Sequence, residues 1–227
     1  MSKRRTYAVI GLGRFGSAVA STLAELGEDV IGIDSNEDRV RELADVLSQA
    51  VQLEASDEKA LREVGIQDVD TAVISIGENI EASLLVVMQV KDLGVPTVIA
   101  KAVTPLHGRI LEKLGVSRVI YPERDMATRL AHSLVVPNVL DYIEVSQEYA
   151  IVEVEAPAAF VGQSLKELEL RPRYGLTLIA IKRKGSGSMP EITIVAPSAD
   201  ERLQAGDVLS LLGATERLGQ ISKLVGS

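Results

Sequence analysis

The sequence has no cysteine among its 227 residues, and acidic residues outnumber basic ones, 32 Asp and Glu against 24 Lys and Arg. The absence of cysteine excludes disulfides, thiolate metal sites and cysteine nucleophiles, and it fits a reducing cytoplasm. The net charge of -8 and the isoelectric point near 5.0 oppose broad binding to a phosphate backbone. Nucleic acid is therefore not an expected partner.

Long apolar runs are also missing. No uninterrupted apolar stretch approaches the roughly 20 residues that span a bilayer. The start, MSKRRTYAVIG, runs directly into a strand-like segment without the apolar stretch and cleavage site of a secretory signal. We expect a chain that is neither exported nor embedded in the membrane, so any membrane role would come through a partner.

Short β-branched runs alternate with amphipathic helical stretches through the first half of the chain, beginning with TYAVIG, SAVASTLAEL and DVIGID. Six strands are predicted, the last ending at Tyr121. Continuous apolar strands separated by helices predict a parallel sheet covered on both faces, with ligands at the carboxyl ends of the strands. The fold class expected for residues 1–123 is α/β, a Rossmann-like nucleotide-binding domain.

The pattern changes in the second half. Residues 124–145 are predicted to form a helical crossover arm, with a helix over MATRLAHSLV closed by Pro137 and a short second helix around Asn138 to Tyr142. Shorter strands and a hairpin-like pair then predict a smaller C-terminal α+β domain over residues 146–227. The basic cluster Lys182 to Lys184 is interpreted as a solvated hairpin tip. Apolar side chains of the arm could cover the sheet or a partner subunit: Met126, Leu130, Leu134 and Val135.

A glycine-rich turn joins the first strand to the first helix. Gly11, Gly13 and Gly16 stand in GLGRFG, where they permit a tight turn, close approach of a phosphate and close helix packing. Asp34 closes the second strand 23 residues after Gly11 (34 − 11), where a carboxylate meets ribose hydroxyls and repels a 2′-phosphate. The segment from Tyr7 to Asp34 therefore predicts binding of NAD or an unmodified adenosine nucleotide.

Residues that follow the predicted strands supply the remaining walls of the site. Arg14 could lie along an extended phosphate group, or it could be an exposed arginine at a helix start. Lys101 should reach a phosphate or a carboxylate, and Glu123 is either a solvated turn acid or a ligand of a bridging divalent cation. The full set of predicted binding residues is Gly11, Leu12, Gly13, Arg14, Phe15, Gly16, Asp34, Ser35, Asn36, Arg39, Glu54, Ala55, Ser56, Asp57, Ile76, Gly77, Glu78, Asn79, Lys101 and Glu123.

An enzyme is the weaker interpretation. A dehydrogenase would need a proton donor and substrate anchors in its second domain, but His107 and His132 both lie outside that domain and are expected on the surface or on a helix face. Metal-hydrolase spacings, nucleophile elbows and the Walker A pattern are absent. The alternatives to a binding switch are an NAD-linked oxidoreductase and another NAD-responsive regulator, such as a DNA-binding redox sensor.

Several segments together resemble a known family: AVIGLGRFG, VIGID, VISIGENIEAS, VIAKA, VIYPERDMATRLAHSL and YGLTLIAIKR. The chain resembles, over nearly its whole length, the cytoplasmic regulatory subunits of Ktr and Trk potassium transporters, the RCK (regulator of potassium conductance) proteins. The resemblance implies a non-enzymatic switch that forms a homodimer, assembles into an octameric ring and docks beneath a membrane potassium-transporter subunit.

The resemblance also implies ligands. ATP and ADP would favour different ring shapes, with Arg14 sensing the terminal phosphate, Asp34 holding the ribose, and Glu123 approaching the neighbouring subunit's nucleotide through Mg²⁺ or Ca²⁺. Some members bind cyclic di-AMP near the segment corresponding to LRPRYG, so Arg171 and Tyr174 are candidate contacts, although the arginines there could equally be solvated turn residues. Glu54 stands where an amide is common in related subunits.

Overall fold

The computed structural model describes residues 4–77, 79–135, 139–146, 148–185 and 192–218. The chain divides after Pro122 into two compact units, each with its own hydrophobic core. None of the helices within the described ranges is both long enough and apolar enough to cross a membrane.

The first unit is built on a six-stranded parallel sheet with the strand order β3-β2-β1-β4-β5-β6. The order reverses between β1 and β4, which creates the crevice where α/β sheets bind ligands. The strands are β1 (Thr6–Ile10), β2 (Asp29–Asp34), β3 (Gln49–Gln52), β4 (Thr71–Ile74), β5 (Thr97–Lys101) and β6 (Arg118–Ile120). The helices are α1 (Arg14–Glu25), α2 (Glu37–Leu43), α3 (Glu58–Glu63), α4 (Ile80–Asp92) and α5 (Pro105–Lys113), with a short 3₁₀ helix at Ile66–Asp68.

Both faces of this sheet are buried, which explains why its strands have continuous apolar sequences. Successive side chains of a strand point to opposite faces, and in β1 the side chains of Ala8 and Ile10 belong to one core while Val9 belongs to the other. Helices on both sides supply the covering layers. The predicted α/β fold is confirmed, with the sixth strand ending at Ile120, one residue earlier than expected.

The second unit is an antiparallel sheet with the strand order β10-β9-β11-β8-β7. Helix α6 (Pro122–Val135) leads into it. The strands are β7 (Val139–Glu144), β8 (Tyr149–Glu155), β9 (Thr177–Arg183), β10 (Ile192–Val195) and β11 (Val208–Ala214). The helices are α7 (Leu165–Leu168) and α8 (Leu170–Tyr174), with a short 3₁₀ helix at Ala158–Phe160. Strands β9 and β10 are the predicted hairpin-like pair.

The arm differs from its prediction in two ways. The short helix expected around Asn138 to Tyr142 is wrong, because the described part of that segment is strand β7, an edge strand paired with β8; Asn138 itself lies outside the described residues. Val139 and Tyr142 bury their side chains there, and β-branched and aromatic residues favour strands. Helix α6 also begins earlier than expected, at Pro122, a residue suited to the first position of a helix.

The basic cluster in β9 is not a solvated tip. Lys182 pairs with Glu153, and Arg183 is mostly buried and ion-paired with Asp207 and Glu201. Only Lys184 of the three basic side chains is exposed. The partners come from other parts of the second unit, so the local charge run gave no sign of them.

Candidate functional site

Two of the three motif glycines are required by the packing of the protein itself. Gly11 has a φ of +94°, and a Cβ there would lie 3.0 Å from the carbonyl carbon of Ser75, at the end of β4. A Cβ at Gly16 would overlap the carbonyl oxygen of Gly11. The Gly11 N–H donates to the Ile33 carbonyl at 2.8 Å. The turn is therefore held between the ends of β2 and β4, and α1 packs directly against it.

Gly13 differs from its two neighbours in the motif. It is the N-cap of α1 with an ordinary φ of −66°, and a Cβ built on it would meet no heavy atom of the residues that the structure describes within 4 Å. The space in front of the helix N-terminus is therefore open. No acidic side chain stands in the first turn of α1, so its free N–H groups and positive dipole end are available to an anion.

The side chains around this opening have distinct environments. Arg14 is exposed at the first position of α1, Phe15 is half-buried, and Leu12 is buried in the core beneath the turn. An exposed guanidinium at this position can reach a ligand without disturbing the packing below it.

Asp34 clamps the glycine turn to the end of β2. Its side chain is 7% exposed; Oδ2 accepts a hydrogen bond from the Leu12 N–H at 2.7 Å, and Oδ1 accepts one from the Asn36 N–H at 2.9 Å. The Arg39 guanidinium lies 3.4 Å from Oδ2 and offsets the buried charge. The carboxylate thus sits beside the opening at a fixed position, where the sequence predicts a contact with ribose.

Three predicted site residues also serve as helix caps. The side-chain oxygens of Asn36, Asp57 and Asn79 accept backbone N–H bonds at the starts of α2, α3 and α4. Asp and Asn stabilise helix starts by such bonds. Asp and Asn are common both as helix caps and as nucleotide ligands, so the capping bonds do not test the predicted ligand contacts. The ligand contacts of these three side chains stay predictions.

The loop after β3 contributes Glu54, Ala55 and Ser56. Ala55 is buried in the main core, Glu54 is exposed, and the Ser56 hydroxyl donates to Glu54 Oε1 at 3.3 Å. The Ser56 carbonyl accepts a hydrogen bond from Gln89. In the loop after β2, Ser35 is exposed and its carbonyl accepts one from Gln52. Sequence reasoning missed both glutamines, because no local pattern marks a side chain that binds a distant carbonyl.

Lys101 reaches across the carboxyl end of the sheet. A Cβ on Gly77 would lie 3.3 Å from Lys101 Nζ, so the ammonium at the end of β5 stands over the segment that follows β4. Ile76 and Gly77 are half-buried there, and Glu78 lies outside the described residues. The side chain of Lys101 thus extends to the same edge of the sheet as the glycine turn.

Ser75 is a further residue that the sequence did not indicate. It follows β4 directly and packs against the glycine turn. Its buried hydroxyl has no hydrogen-bond partner within the part of the chain that the structure describes. Its small size, rather than its polarity, fits the close approach of Gly11 and Gly16.

Glu123 lies in the first turn of α6 and is exposed. Within the described ranges, no group of three His, Asp or Glu side chains could hold a metal ion. A cation at Glu123 would therefore need ligands beyond a protein cluster, and the predicted metal contact stays a prediction.

His107 was expected on the surface or on a helix face, and only the second alternative holds, because it lies on a helix face that is buried. It is 1% exposed on the inner face of α5, beside the buried Gly108 and Leu111, and neither ring nitrogen has a partner among the described residues. Burial lowers the pKa of His107 below its ordinary value. His132 does lie on a helix face, where its exposed ring stacks on Tyr142 with the ring centroids 4.5 Å apart.

The second unit holds the other predicted ligand residues. Arg171 is exposed on α8, and Tyr174 packs against the second core with its ring centroid 6.0 Å from that of Phe160. The adjacent Arg173 is paired with Glu169 on the helix surface. Arg171 is thus accessible, while Tyr174 also has a packing role.

Comparisons with known proteins match both units. Residues 7–122 match the TrkA-N domain and residues 149–226 the TrkA-C domain. The chain is 39% identical over 222 residues to the Ktr system potassium uptake protein C of Bacillus subtilis (strain 168), covering 98% of both chains. It is 36% identical over 211 residues to the Ktr system potassium uptake protein A of that organism, covering 93% of this chain and 92% of the other.

Solved structures share the fold. The GsuK RCK domain superposes with a TM-score of 0.64 at 19% identity, over 100% of this chain and 48% of that chain. The GsuK channel superposes with a TM-score of 0.67 at 19% identity, over 100% of this chain and 40% of that chain. This chain thus spans less than half the length of either solved chain. The resemblance drawn from the sequence motifs is confirmed.

Proposed function

The chain belongs to the family of Ktr and Trk potassium uptake proteins with a TrkA-N and a TrkA-C domain, and from this premise we propose that it regulates a potassium transporter by sensing ATP and ADP. The proposed sensor is the glycine turn of the first unit. The proposed output is a conformational change passed to a membrane potassium-transporter subunit.

The opening at Gly13 carries this proposal. Gly11 and Gly16 are explained by backbone conformation and packing, but none of the described residues occupies the space where a Gly13 side chain would stand. A bound phosphate group explains the missing side chain, because it would need that space to reach the N–H groups of α1. The turn therefore fits a nucleotide and not only a strand-to-helix connection.

The charges around the opening favour a 2′-hydroxyl nucleotide with a phosphate chain. The carboxylate of Asp34 would repel a 2′-phosphate, which argues against NADP. Arg14 and Lys101 would both face the phosphates, with Arg14 at the terminal phosphate of ATP. NAD shares the adenosine half and is the alternative ligand.

A divalent cation completes the proposed phosphate site. Glu123 and a terminal phosphate would repel each other, and Mg²⁺ or Ca²⁺ bound between them would remove that repulsion. Both ions prefer oxygen ligands, which a carboxylate, phosphates and water supply. Glu123 would act on the nucleotide of a neighbouring subunit.

The assembly that we propose is a homodimer that builds an octameric ring at the inner face of the cell membrane. Helix α6 supports association: Met126, Leu130 and Leu134 recur at helical spacing and are each more than half exposed. Such an apolar stripe is typical of a surface that packs against a partner. ATP and ADP would shift the ring between two shapes only as far as their affinities for these shapes differ.

The second unit is the proposed site of cyclic di-AMP, with Arg171 and Tyr174 as contacts. An exposed arginine can pair with phosphate, and a tyrosine ring can stack on a base. No residue is assigned a catalytic role in this proposal, which is a binding switch without turnover.

Calorimetric titration of the purified chain with ATP, ADP and NAD tests the ligand. Binding of ATP and ADP with different affinities is the expected result. Preferential binding of NAD, with a substrate-dependent absorbance change of its nicotinamide, would instead support an oxidoreductase. Co-purification with a membrane potassium transporter tests the partner.

A further inference from the structure

Two glutamine side chains bind the backbone of the loops after β2 and β3. These strands are neighbours, and the Leu53 N–H donates to the Asp34 carbonyl at 3.0 Å, so the loop after β3 starts beside the proposed ribose contact. Gln52 Nε2 donates to the Ser35 carbonyl at 3.2 Å, and Gln89 Nε2, on α4, donates to the Ser56 carbonyl at 2.7 Å. The first bond is exposed, while the second is partly buried. Gln89 is the stronger candidate for a specific role because its bond is shorter and less accessible to water.

The amide of Gln89 satisfies the Ser56 carbonyl, but it also carries a cost for stability. The side chain comes from a helix whose inner face is apolar, with Val86, Val87 and Val90 buried. Its Oε1 atom is buried and has no partner within the described residues. A buried acceptor without a partner is destabilising, and an apolar side chain of similar size would avoid that cost.

The bond from Gln89 completes the anchoring of the loop after β3. Ala55 is fixed because its side chain lies in the core, and Asp57 is fixed as the cap of α3. The Ser56 carbonyl lies between these two points and is held by Gln89 alone among the side-chain bonds described for the loop. Glu54, exposed at the edge of the loop, is linked to it through the Ser56 hydroxyl.

We propose that Gln89 is a positioning residue that sets the loop of residues 54–57 for the base of the bound nucleotide. This inference rests on the proposed nucleotide site. The base and ribose are common to ATP and ADP, so the effect of Gln89 is equal for the two ligands, in contrast to that of Arg14. A loop held in one position also discriminates between bases better than a loop that must be ordered on binding.

The variant Gln89→Met tests this role in the full chain, because methionine keeps the length of the side chain and removes the donor. The affinities for ATP and ADP should each fall by about threefold to tenfold, the effect of one hydrogen bond. Their ratio should stay unchanged, and the preference for ATP over GTP should shrink. The melting temperature should fall by no more than about 4 °C, because the unpaired Oε1 is removed while the Ser56 carbonyl loses its bond.

Gln163→Met is the matched control, since Gln163 Nε2 makes the same kind of bond, to the Ala159 carbonyl in the second unit. It should leave nucleotide binding unchanged. If wild type binds ATP and Gln89→Met binds it within twofold, the inference is wrong and the proposed function stands. A loss of affinity that accompanies a fall in melting temperature of more than about 4 °C also overturns positioning, because it indicates general loosening. If wild type binds neither ATP nor ADP, both proposals fail.

Discussion

Arg183 and Asp207 form a bidentate ion pair in the second unit. Arg183 Nε and Nη2 donate to the two carboxylate oxygens of Asp207 at 2.8 Å each, and Asp207 is fully buried. The Gln204 N–H donates to the same carboxylate at 2.9 Å, and Arg183 Nη1 donates to Glu201 at 3.1 Å. Strand β9 is thereby tied to the turn before β11.

Replacing Arg183 with Met should lower the free energy of unfolding by about 2–4 kcal/mol, because a buried carboxylate then loses its partner. Urea denaturation of the full chain measures the change. Arg173→Met is the control, since Arg173 pairs with Glu169 on the surface of α8 and should cost about 0–1 kcal/mol. Equal losses in the two variants would show that burial does not set the strength of the Arg183 pair.

Acid should destabilise the chain through Asp207. Burial by itself would raise the pKa of Asp207, but the hydrogen bonds from Arg183 and Gln204 and the charge of Arg183 outweigh it, so the pKa lies below its ordinary value. A lowered pKa contributes stability above about pH 4 that is lost as the pH falls through the pKa of the folded state.

Asp141 acts in the same direction, since the hydrogen bond from Arg129 leads the causes that lower its pKa. Denaturation of wild type and Asp207→Asn between pH 6 and pH 3 tests whether Asp207 contributes to the loss of stability in acid. The variant should be less stable at pH 6 and should lose less stability on acidification. Parallel curves for the two proteins would rule out Asp207 as a source of the pH dependence.

His107 should produce a second pH dependence in a separate range. Burial lowers the pKa of His107 below its ordinary value of about 6.5, so the unfolded chain binds a proton more readily than the folded one. The free energy of unfolding should therefore be constant above about pH 7.5 and fall as the pH drops through 6.5, by at most about 1.4 kcal/mol per pH unit.

His107→Leu should flatten this part of the curve, because leucine does not titrate. The variant should be as stable as wild type at pH 8, or more stable, since two buried nitrogens without partners in the described residues are removed. Unfolding measured between pH 8 and pH 5 decides the point. An unchanged slope in the variant would assign the pH dependence elsewhere.

Substitutions at Gly13 and Gly16 should have opposite main effects: the first should impair nucleotide binding and the second should impair stability. Gly13→Ala should change the free energy of unfolding by less than about 1 kcal/mol, because its φ is ordinary and its Cβ would meet no atom of the described residues. Binding of ATP should nevertheless weaken at least about tenfold, because the methyl group would occupy the position of the phosphate.

Gly16→Ala is the contrasting variant. Its Cβ would overlap the Gly11 carbonyl, so the helix and turn must separate, and we expect a loss of stability of several kcal/mol. Thermal unfolding and calorimetry on both variants provide the measurements. If Gly13→Ala bound ATP as well as wild type, the space at Gly13 would not be the phosphate site.

The sequence predicted the features of the first unit that depend on local patterns. Six strands, the glycine turn and Asp34 follow from short runs of residues whose spacing has a direct structural meaning. Gly11 and Gly16 conform to the reasons given for their positions, close turning and close packing. The predicted parallel sheet needed no long-range information, because alternating strands and helices permit few arrangements.

Three errors concern contacts between residues that are separated in the chain, whereas the early start of α6 has a local signal in Pro122. Strand β7 was predicted as a helix because its short sequence gives no sign of the pairing with β8 that fixes it at the sheet edge. Arg183 looked solvated, but its partner Asp207 is 24 residues away. The burial of His107 depends on which face of α5 packs on the sheet, and a nine-residue helix with mixed polarity leaves that choice open.

Arg14 should determine the difference between ATP and ADP. Arg14→Ala should lower the affinity for ATP by about tenfold to a hundredfold, which is the effect of losing a charge-assisted hydrogen bond. The affinity for ADP should fall much less. The loss can be attributed to the ligand, because a cation at the N-terminus of α1 is unfavourable to the helix dipole and its removal should not destabilise the fold.

Calorimetry at low and high salt measures both affinities, and the effect of Arg14 should shrink with salt because the side chain is exposed. Arg41→Ala is the control, since Arg41 is also exposed but pairs with Glu37 on α2. If Arg14→Ala lowered the affinities for ATP and ADP by the same factor, the guanidinium would lie at a phosphate that both nucleotides have. The discrimination on which the proposed switch depends would then have to come from another group, with Lys101 and the cation proposed at Glu123 as the candidates.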